Sequence, residues 1–381
     1  MAKKKLFMPI EIVQVEGKLI KKYIDFPHDL YANDPNYVPE LYMSQKDLFS
    51  RKKNPFYKNA EVEHFLAYRD GKIVGRITAF DNKRYNQIHK SNVGFFGFFD
   101  LINDKEVCKA LIETATSWCK KRGFEAMMGP FNYSLNDTAG LLVKGFDEPP
   151  KIMMTYNPPY YQELVEDYGF KKDMDLFAYI LYTEKASEKS IRLAQALEKR
   201  LANQGITIRN INMKKFDEEV ANLMDAYNSS WEDNWGAIPM TEEEILLLGS
   251  ELKMIANPNW IYIAEDHGKV VGFGVTLNNI NEITKGFKKG RIFPFNIFKL
   301  LLRRHKTRYV RILALGVLKE YRKKGIEAIL FSKNILQARK DNVIAGEVSW
   351  VLENNEEMVR SAEKLNSELY KIYRIYRYDF N

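Results

Sequence analysis

One succession of elements is written twice in this chain, and that repetition limits the fold more than any other feature. Residues 62–70 and 72–80 alternate as two strands across a tight Asp70-Gly71 turn, and residues 260–265 and 269–277 do the same across Asp266-His267-Gly268. Lys-x-Val-Gly opens the second strand in both places, as Lys72-Ile-Val-Gly75 and Lys269-Val-Val-Gly272.

The elements after each hairpin also match. In the first half a strand at 93–101 leads to a helix near 104–121, with Val107, Ala110, Leu111, Thr114 and Trp118 on one face, then to a strand at 124–128. In the second half a strand at 309–317 leads to a helix near 322–339, with Ile326, Ile329, Leu330 and Leu336 facing one way, then to a strand at 343–352. Each half closes with a short helix and strand residues, at 160–168 and 170–182 and again at 356–365 and 368–380. Two copies of one α/β domain are the simplest reading, at 1–183 and 184–381, divided in the polar stretch Thr183-Glu-Lys-Ala-Ser187. Each copy then has an ordinary domain size. The regions 131–156 and 281–308 break the symmetry.

The second copy carries the most informative stretch. A strand ends at Val317, a few polar or turn residues come next, and Arg322-Lys323-Lys324-Gly325 opens an apolar-periodic helix. This arrangement points free backbone N–H groups and the positive end of a helix dipole at one spot, with Gly325 removing bulk and three cations nearby. It suits an anion.

The stretch resembles the acyl-CoA pyrophosphate loop of the GNAT acyltransferase superfamily, in which a strand ending in Val is followed by R-x-x-G-x-G/A and a helix; Val317, Arg322 and Gly325 match. The order of elements over 206–381 is similar to that fold, and Glu347 to Asn355 with Met358 and Ala362 to Asn366 resembles its later strand and helix. The whole chain resembles bacterial tandem GNAT-like proteins through GPFN (129–132), YNPPYY (156–161), GEVSW (346–350) and YKIYRIY (370–376). The resemblance implies two tandem GNAT-like domains, α/β with a mixed sheet. It also implies acetyl-CoA or another acyl-CoA held by Gly316, Val317, Arg322, Lys323, Lys324, Gly325, Ile326 and Ala328, and transfer of the acyl group to an amine-bearing acceptor.

Two positions depart from the pattern. Glu327 stands where the loop usually has Gly or Ala, and Ala362 where such enzymes often place a tyrosine as general acid. In the first half the corresponding loop, Asp100 to Val107, has no glycine and several acids. Asp104 is placed to cap the helix and so to occupy the N–H groups a phosphate would take. The first copy is therefore expected not to bind a CoA pyrophosphate, and resembles the degenerate GNAT half of Fem-type aminoacyl transferases.

Amine attack on a thioester needs the two groups held in line, a proton acceptor for the ammonium and a donor for the oxyanion. Gly316 is the expected site of a bulge that frees such a backbone N–H. Glu347, on a central strand, is the candidate base, where desolvation raises a carboxyl. Tyr373, with Tyr376, is the candidate acid from the alternating last strand, and Trp350 and Trp235 are candidates for an acceptor pocket. Each has a plain alternative as an ion pair or a packed aromatic.

The insertion 281–308 contains nine Lys/Arg and four Phe between Lys285 and Arg308. Its favoured reading is a lid, apolar side packed over an acceptor channel and basic side in water. The alternatives are an anionic membrane surface and, less, nucleic acid, which is not expected as a partner.

Composition narrows the rest. With 45% hydrophobic and 13% aromatic residues the chain is not of disordered type. The greasiest segment, 293–302, is interrupted by Pro294, Asn296 and Lys299, and the start MAKKKLFMPIEIVQVEG has too short an apolar run for a leader, which together give a cytoplasmic reading. Cys108 and Cys119, the only two cysteines, fall in one helix about 16 Å apart, too far for a disulfide. With five scattered histidines besides, no metal site is expected. The net charge of +8 is a weak guide to partners in a chain of mixed charge. The P-loop, HExxH and GxSxG motifs are absent. The rival to an N-acyltransferase is a catalytically inactive GNAT-fold binding or scaffold protein, kept open by Glu327 and Ala362.

Overall fold

The computed structural model describes residues 9–380; the basic start 1–8, part of the stretch judged too short for a leader, lies outside the described residues. Two compact units form. The N-terminal unit runs to Asp175 and also takes Lys288–Arg291 and the chain from Tyr373, while the C-terminal unit comprises Leu176–Phe287 and Ile292–Ile372.

The first repeat supplies β1 (Glu11–Gln14), α1 (Leu19–Leu30), α2 (Tyr42–Leu48), the hairpin β2 (Ala60–Arg69) and β3 (Lys72–Asn82), α3 (Lys83–His89), β4 (Val93–Leu101) and α4 (Lys105–Lys121). Next come β5 (Ala126–Gly129), the small pair β6 (Phe131–Asn132) and β7 (Thr138–Ala139), β8 (Leu141–Lys144), α5 (Tyr160–Tyr168) and β9 (Lys171–Tyr182). The second repeat supplies α6 (Glu188–Ala202), β10 (Ile206–Asn210), α7 (Phe216–Trp231), α8 (Glu242–Lys253), β11 (Ile261–Asp266) and β12 (Lys269–Asn278). Its remainder is α9 (Asn281–Thr284), α10 (Asn296–Arg303), β13 (Tyr309–Val317), α11 (Ile326–Lys340), β14 (Ala345–Leu352), α12 (Glu356–Lys364) and β15 (Glu368–Asp379). Strand, two helices, hairpin, strand, crossover helix, strand, helix and strand occur in both repeats.

Each unit has a mixed sheet. The N-terminal unit orders its strands β1-β2-β3-β4-β5-β15 and the C-terminal unit β9-β14-β13-β12-β11-β10. One pair in each is parallel, β4 with β5 and β13 with β14, and a crossover helix joins each pair. The last strand of each repeat lies in the other unit's sheet: β9 runs antiparallel to β14 from Leu176↔Leu352 to Tyr182↔Ala345, and β15 to β5 from Tyr376↔Gly129 to Asp379↔Ala126. The units consequently do not divide at 183. Ladder bonds carry Leu176–Tyr182 into the C-terminal unit, and nothing in the local polarity of 183–187 reports that pairing.

The shared Lys-x-Val-Gly has a packing cause. A Cβ on Gly75 would stand 2.6 Å from Leu111 Cδ1 of α4, whereas one on Gly272 would crowd β13, 3.1 Å from Val317 Cγ2 and 3.2 Å from Gly316 O. Gly75 lets the crossover helix close on the sheet, and Gly272 lets β12 and β13 lie close. In the N-terminal unit α4 buries Val107, Leu111, Ala115 and Cys119 against Ile77, Phe96 and Met127. In the C-terminal unit α11 buries Ile326, Ile329 and Leu330 against Val271, Leu315 and Val348. Each Val, Leu, Ile, Phe or Met among them contributes about 1.5–3 kcal/mol when fully buried.

Cys108 and Cys119 are free and buried in α4, and burial pushes both thiols up to about 12. No helix among the described residues is long and apolar enough to cross a membrane.

Candidate active site

In the C-terminal unit β13 and β14 pair in parallel from Tyr309↔Ala345 to Ile312↔Val348 and then part. Beyond Ile312, β13 keeps its ladder with β12 up to Val317↔Gly272, while β14 stays with β9. The edge of Leu313 to Val317 that faces β14 therefore has no ladder partner, which opens a wedge between two parallel strands. The bulge expected at Gly316 sits at Leu313, because Val275 pairs Ala314 while Thr276 pairs Ile312. Gly316 is in regular register with Phe273, and its missing side chain makes room for Ser230 of α7, whose Oγ would be 2.7 Å from a Cβ there.

The chain leaving β13 turns through Lys323, which has φ 67°, and Gly325, with φ 86°, before α11 begins at Ile326. The helix expected from about 322 thus starts later, since two left-handed residues cannot be its first turn. Gly325 is the N-cap and offers no side-chain acceptor, and of the first N–H groups of α11 the one at Glu327 donates to that residue's own carboxylate. Arg322 donates from Nη2 to Ser230 O at 3.2 Å and so completes the C-terminal end of α7. Lys323 and Lys324 are exposed, with Lys324 Nζ 4.4 Å from the Tyr321 ring centroid. Glu327 is half-buried, and desolvation lifts its carboxyl above the ordinary range, opposed by a hydrogen bond from its own backbone N–H and by Arg322, with Glu357 adding to the rise. Ala328 is exposed one residue on.

Glu347 lies just before the wedge opens, opposite Arg311 in the parallel ladder. It is fully buried and forms an ion pair with Arg311, Nε to Oε1 at 3.5 Å. Ser349 Oγ donates to Glu347 Oε1 at 2.5 Å and accepts from Arg311 Nε at 2.8 Å, while the Tyr370 hydroxyl donates to Oε2. Half-buried Tyr370 is the outer member of this cluster. Tyr373 is also fully buried but belongs to the N-terminal unit, as does Tyr376, which donates to Glu166 Oε1 at 2.9 Å. Trp350 is half-buried with the Arg311 guanidinium 5.5 Å from its ring, and Trp235 is half-buried as well. Ala362 packs in the core of the C-terminal unit.

The equivalent place in the N-terminal unit is filled by its own chain. β4 and β5 pair only from Val93↔Ala126 to Phe95↔Met128. The backbone of β6 then comes so close to β4 that a Cβ on Gly97 would lie 1.5 Å from Phe131 O. Asn132 Oδ1 accepts from Phe98 N at 2.9 Å, with Phe98 itself at φ 45°. At the start of α4, Asp104 Oδ1 accepts from Glu106 N at 2.9 Å and Val107 N at 3.1 Å, and Arg69 pairs with its other oxygen at 2.6 Å. An N-cap carboxylate thus takes the start of α4, where the N-cap of α11 has no side chain.

Residues 220–366, nearly all of them in the C-terminal unit, match the Acetyltransferase (GNAT) family. The chain is 35% identical over 366 residues to Protein YghO of Escherichia coli strain K12, covering 94% of this chain and 92% of that one. It is 36% identical over 366 residues to the bacterial ceramide synthase of Caulobacter vibrioides, covering 94% of each. The chain belongs to the GNAT family. Among solved structures, a tandem GNAT protein from the clavulanic acid biosynthesis pathway superposes with TM-score 0.58 at 11% identity, over 97% of this chain and 98% of that one. The GCN5-related N-acetyltransferase from Sphaerobacter thermophilus gives 0.50 at 12% identity, over 97% and 95%. These two likenesses establish the tandem fold.

GNAT chemistry draws on an acyl-CoA as co-substrate, and the start of α11, with no N-cap side chain, beside a wedge of unpaired strand suits its anionic and amide groups. Sequence reasoning singled out Glu347 but missed the groups that hold it. Arg311 was detectable, as the one charge inside the apolar run Val310 to Val317. A lone charge in a buried strand asks for a buried counter-charge. Tyr370 carried no such mark, because its strand alternates aromatics throughout.

Proposed function

We propose that this GNAT protein is an acyl-CoA-dependent N-acyltransferase, with the CoA held in the C-terminal unit at Gly316, Val317, the 322–325 turn and the start of α11, and with the amine of a lipid as acceptor. The observation that carries the site is the contrast between α11, whose N-cap Gly325 has no side chain, and α4, capped by Asp104. The acceptor class is supported by the relative named bacterial ceramide synthase, since making a ceramide joins a fatty acyl group to the amine of a long-chain base.

In this reading the amine nitrogen attacks the thioester carbonyl, the C–N bond forms and the C–S bond breaks, and the CoA thiolate takes up a proton. Backbone N–H groups on the free edge of β13 donate to the oxyanion. The ammonium proton leaves through the Tyr370 phenol to Glu347, whose burial otherwise keeps it from the amine.

The test is thiol release from acetyl-CoA and long-chain acyl-CoA with a long-chain amino alcohol as acceptor. Release that depends on both substrates, with Tyr370→Phe lowering kcat but not CoA affinity, is the expected result. CoA binding without turnover for any amine favours the inactive binding protein instead.

A further inference from the structure

The insertion of the second repeat carries three stripes on one short helix. Phe295, Phe298 and Leu302, spaced three and four apart, are 79%, 64% and 76% exposed, and Phe293 and Leu301 beside them are exposed too. Ile297, Leu300 and Arg304 form the second stripe, with Leu300 fully buried and Arg304 donating to the Met254 carbonyl. Lys299 and Arg303 form the third, one turn apart beside the apolar stripe, and both are exposed. Further along, Glu282 accepts from Arg308 N and Tyr309 N at 2.9 Å each and fixes the exit of the insertion. The apolar side expected to pack as a lid therefore faces outward, while a different face anchors the helix.

Five of the nine large apolar side chains that are exposed among the described residues fall between Phe293 and Leu302. No Asp or Glu occurs between Lys285 and Arg308. Lys285, Lys288, Lys299, Arg303 and Lys306 pair with no carboxylate among the described residues. A second copy meeting this face would bring cations against cations, which disfavours a symmetric contact. Apolar side chains flanked by cations that lack a carboxylate partner match the boundary between acyl chains and anionic headgroups.

We propose that residues 293–306 dock this protein on an anionic lipid bilayer, with Phe293, Phe295, Phe298 and Leu302 entering the acyl boundary and Lys299, Arg303 and Lys306 meeting the headgroups. The proposal does not rest on the acyl-transfer reading, because partition is measured without substrates. The experiment is flotation of the full chain with phosphatidylcholine vesicles, with and without phosphatidylglycerol. The chain is expected to float with the phosphatidylglycerol vesicles. Partition falls at least about tenfold in Phe295→Asp/Phe298→Asp, and about fivefold per reversed cation in Lys299→Glu/Arg303→Glu. These side chains are exposed, so unchanged melting of both variants shows that folding is intact. Three results overturn the proposal: no flotation on anionic vesicles, equal partition of the Phe295→Asp/Phe298→Asp variant, or self-association lost in that variant with no vesicle binding.

Discussion

The two crossover helices start in opposite ways. α4 begins with Asp104 folded onto its own N–H groups and held there by Arg69, and the wedge beside it is closed by Phe131 and Asn132. α11 begins with a left-handed glycine and no side-chain cap, beside a wedge that its own repeat leaves open. Both halves share one order of elements, and the difference lies in a few residues that satisfy, or decline to satisfy, the same backbone groups. A helix start whose donors are taken by an N-cap carboxylate gains little by binding an anion; one whose N-cap has no side chain gains more.

Both halves keep a buried arginine–carboxylate pair, though on different strands. Arg76 and Asp100 join β3 to β4 at 2.7 Å, and Arg311 and Glu347 face each other across β13 and β14. Removing one partner strands a buried charge, so Arg76→Met and Arg311→Met should each cost about 3–5 kcal/mol in denaturant unfolding. A loss below about 1 kcal/mol in either would show that water reaches the remaining carboxylate. Gly97→Ala drives a methyl into the Phe131 carbonyl and should destabilise the chain by about 3 kcal/mol, whereas Gly274→Ala, with its nearest neighbour at 3.7 Å, should be tolerated. Similar melting temperatures for those two variants would contradict the filled wedge. Asp104→Ala removes the cap of α4 at a cost of about 1 kcal/mol. It should create no second CoA site, because Phe131 and Asn132 still close the wedge.

The smallest effect concerns Glu327. Its carboxyl is raised by desolvation, so it sheds its proton at higher pH than usual, and the resulting charge opposes an anion at the α11 start. CoA affinity should fall as pH rises through that raised value, and Glu327→Gln should flatten the dependence and tighten binding roughly threefold at the alkaline end. Identical pH profiles for variant and parent would remove Glu327 from the site.

Much of this was legible in the sequence because it is local. The expected strands at 93–101 and 309–317 have the observed bounds, as does the helix at 160–168. The Asp104 cap followed from one residue at one position. The exchange of β9 and β15 was not legible, since their alternating patterns say strand without saying which sheet. α1 and α2 were not legible either, α1 carrying Pro27 within it. The site was half legible: Gly325 and its cations stood out, but the bulge sits at Leu313, where no glycine marks it. Glu347 and Tyr373, the base and acid expected from the sequence, belong to different units. The outward turn of Phe295 and Phe298 depends on which face of α10 the Arg304 anchor selects, and periodicity alone does not choose.

The most direct measurement is the stoichiometry of CoA binding by titration calorimetry on the whole chain, repeated on Gly325→Asp and Asp104→Ala. One CoA per chain is the predicted result, kept in Asp104→Ala and lost by at least about a hundredfold in affinity in Gly325→Asp, whose carboxylate and strained left-handed position close the α11 start. Two CoA per chain, or undiminished binding in Gly325→Asp, would contradict it.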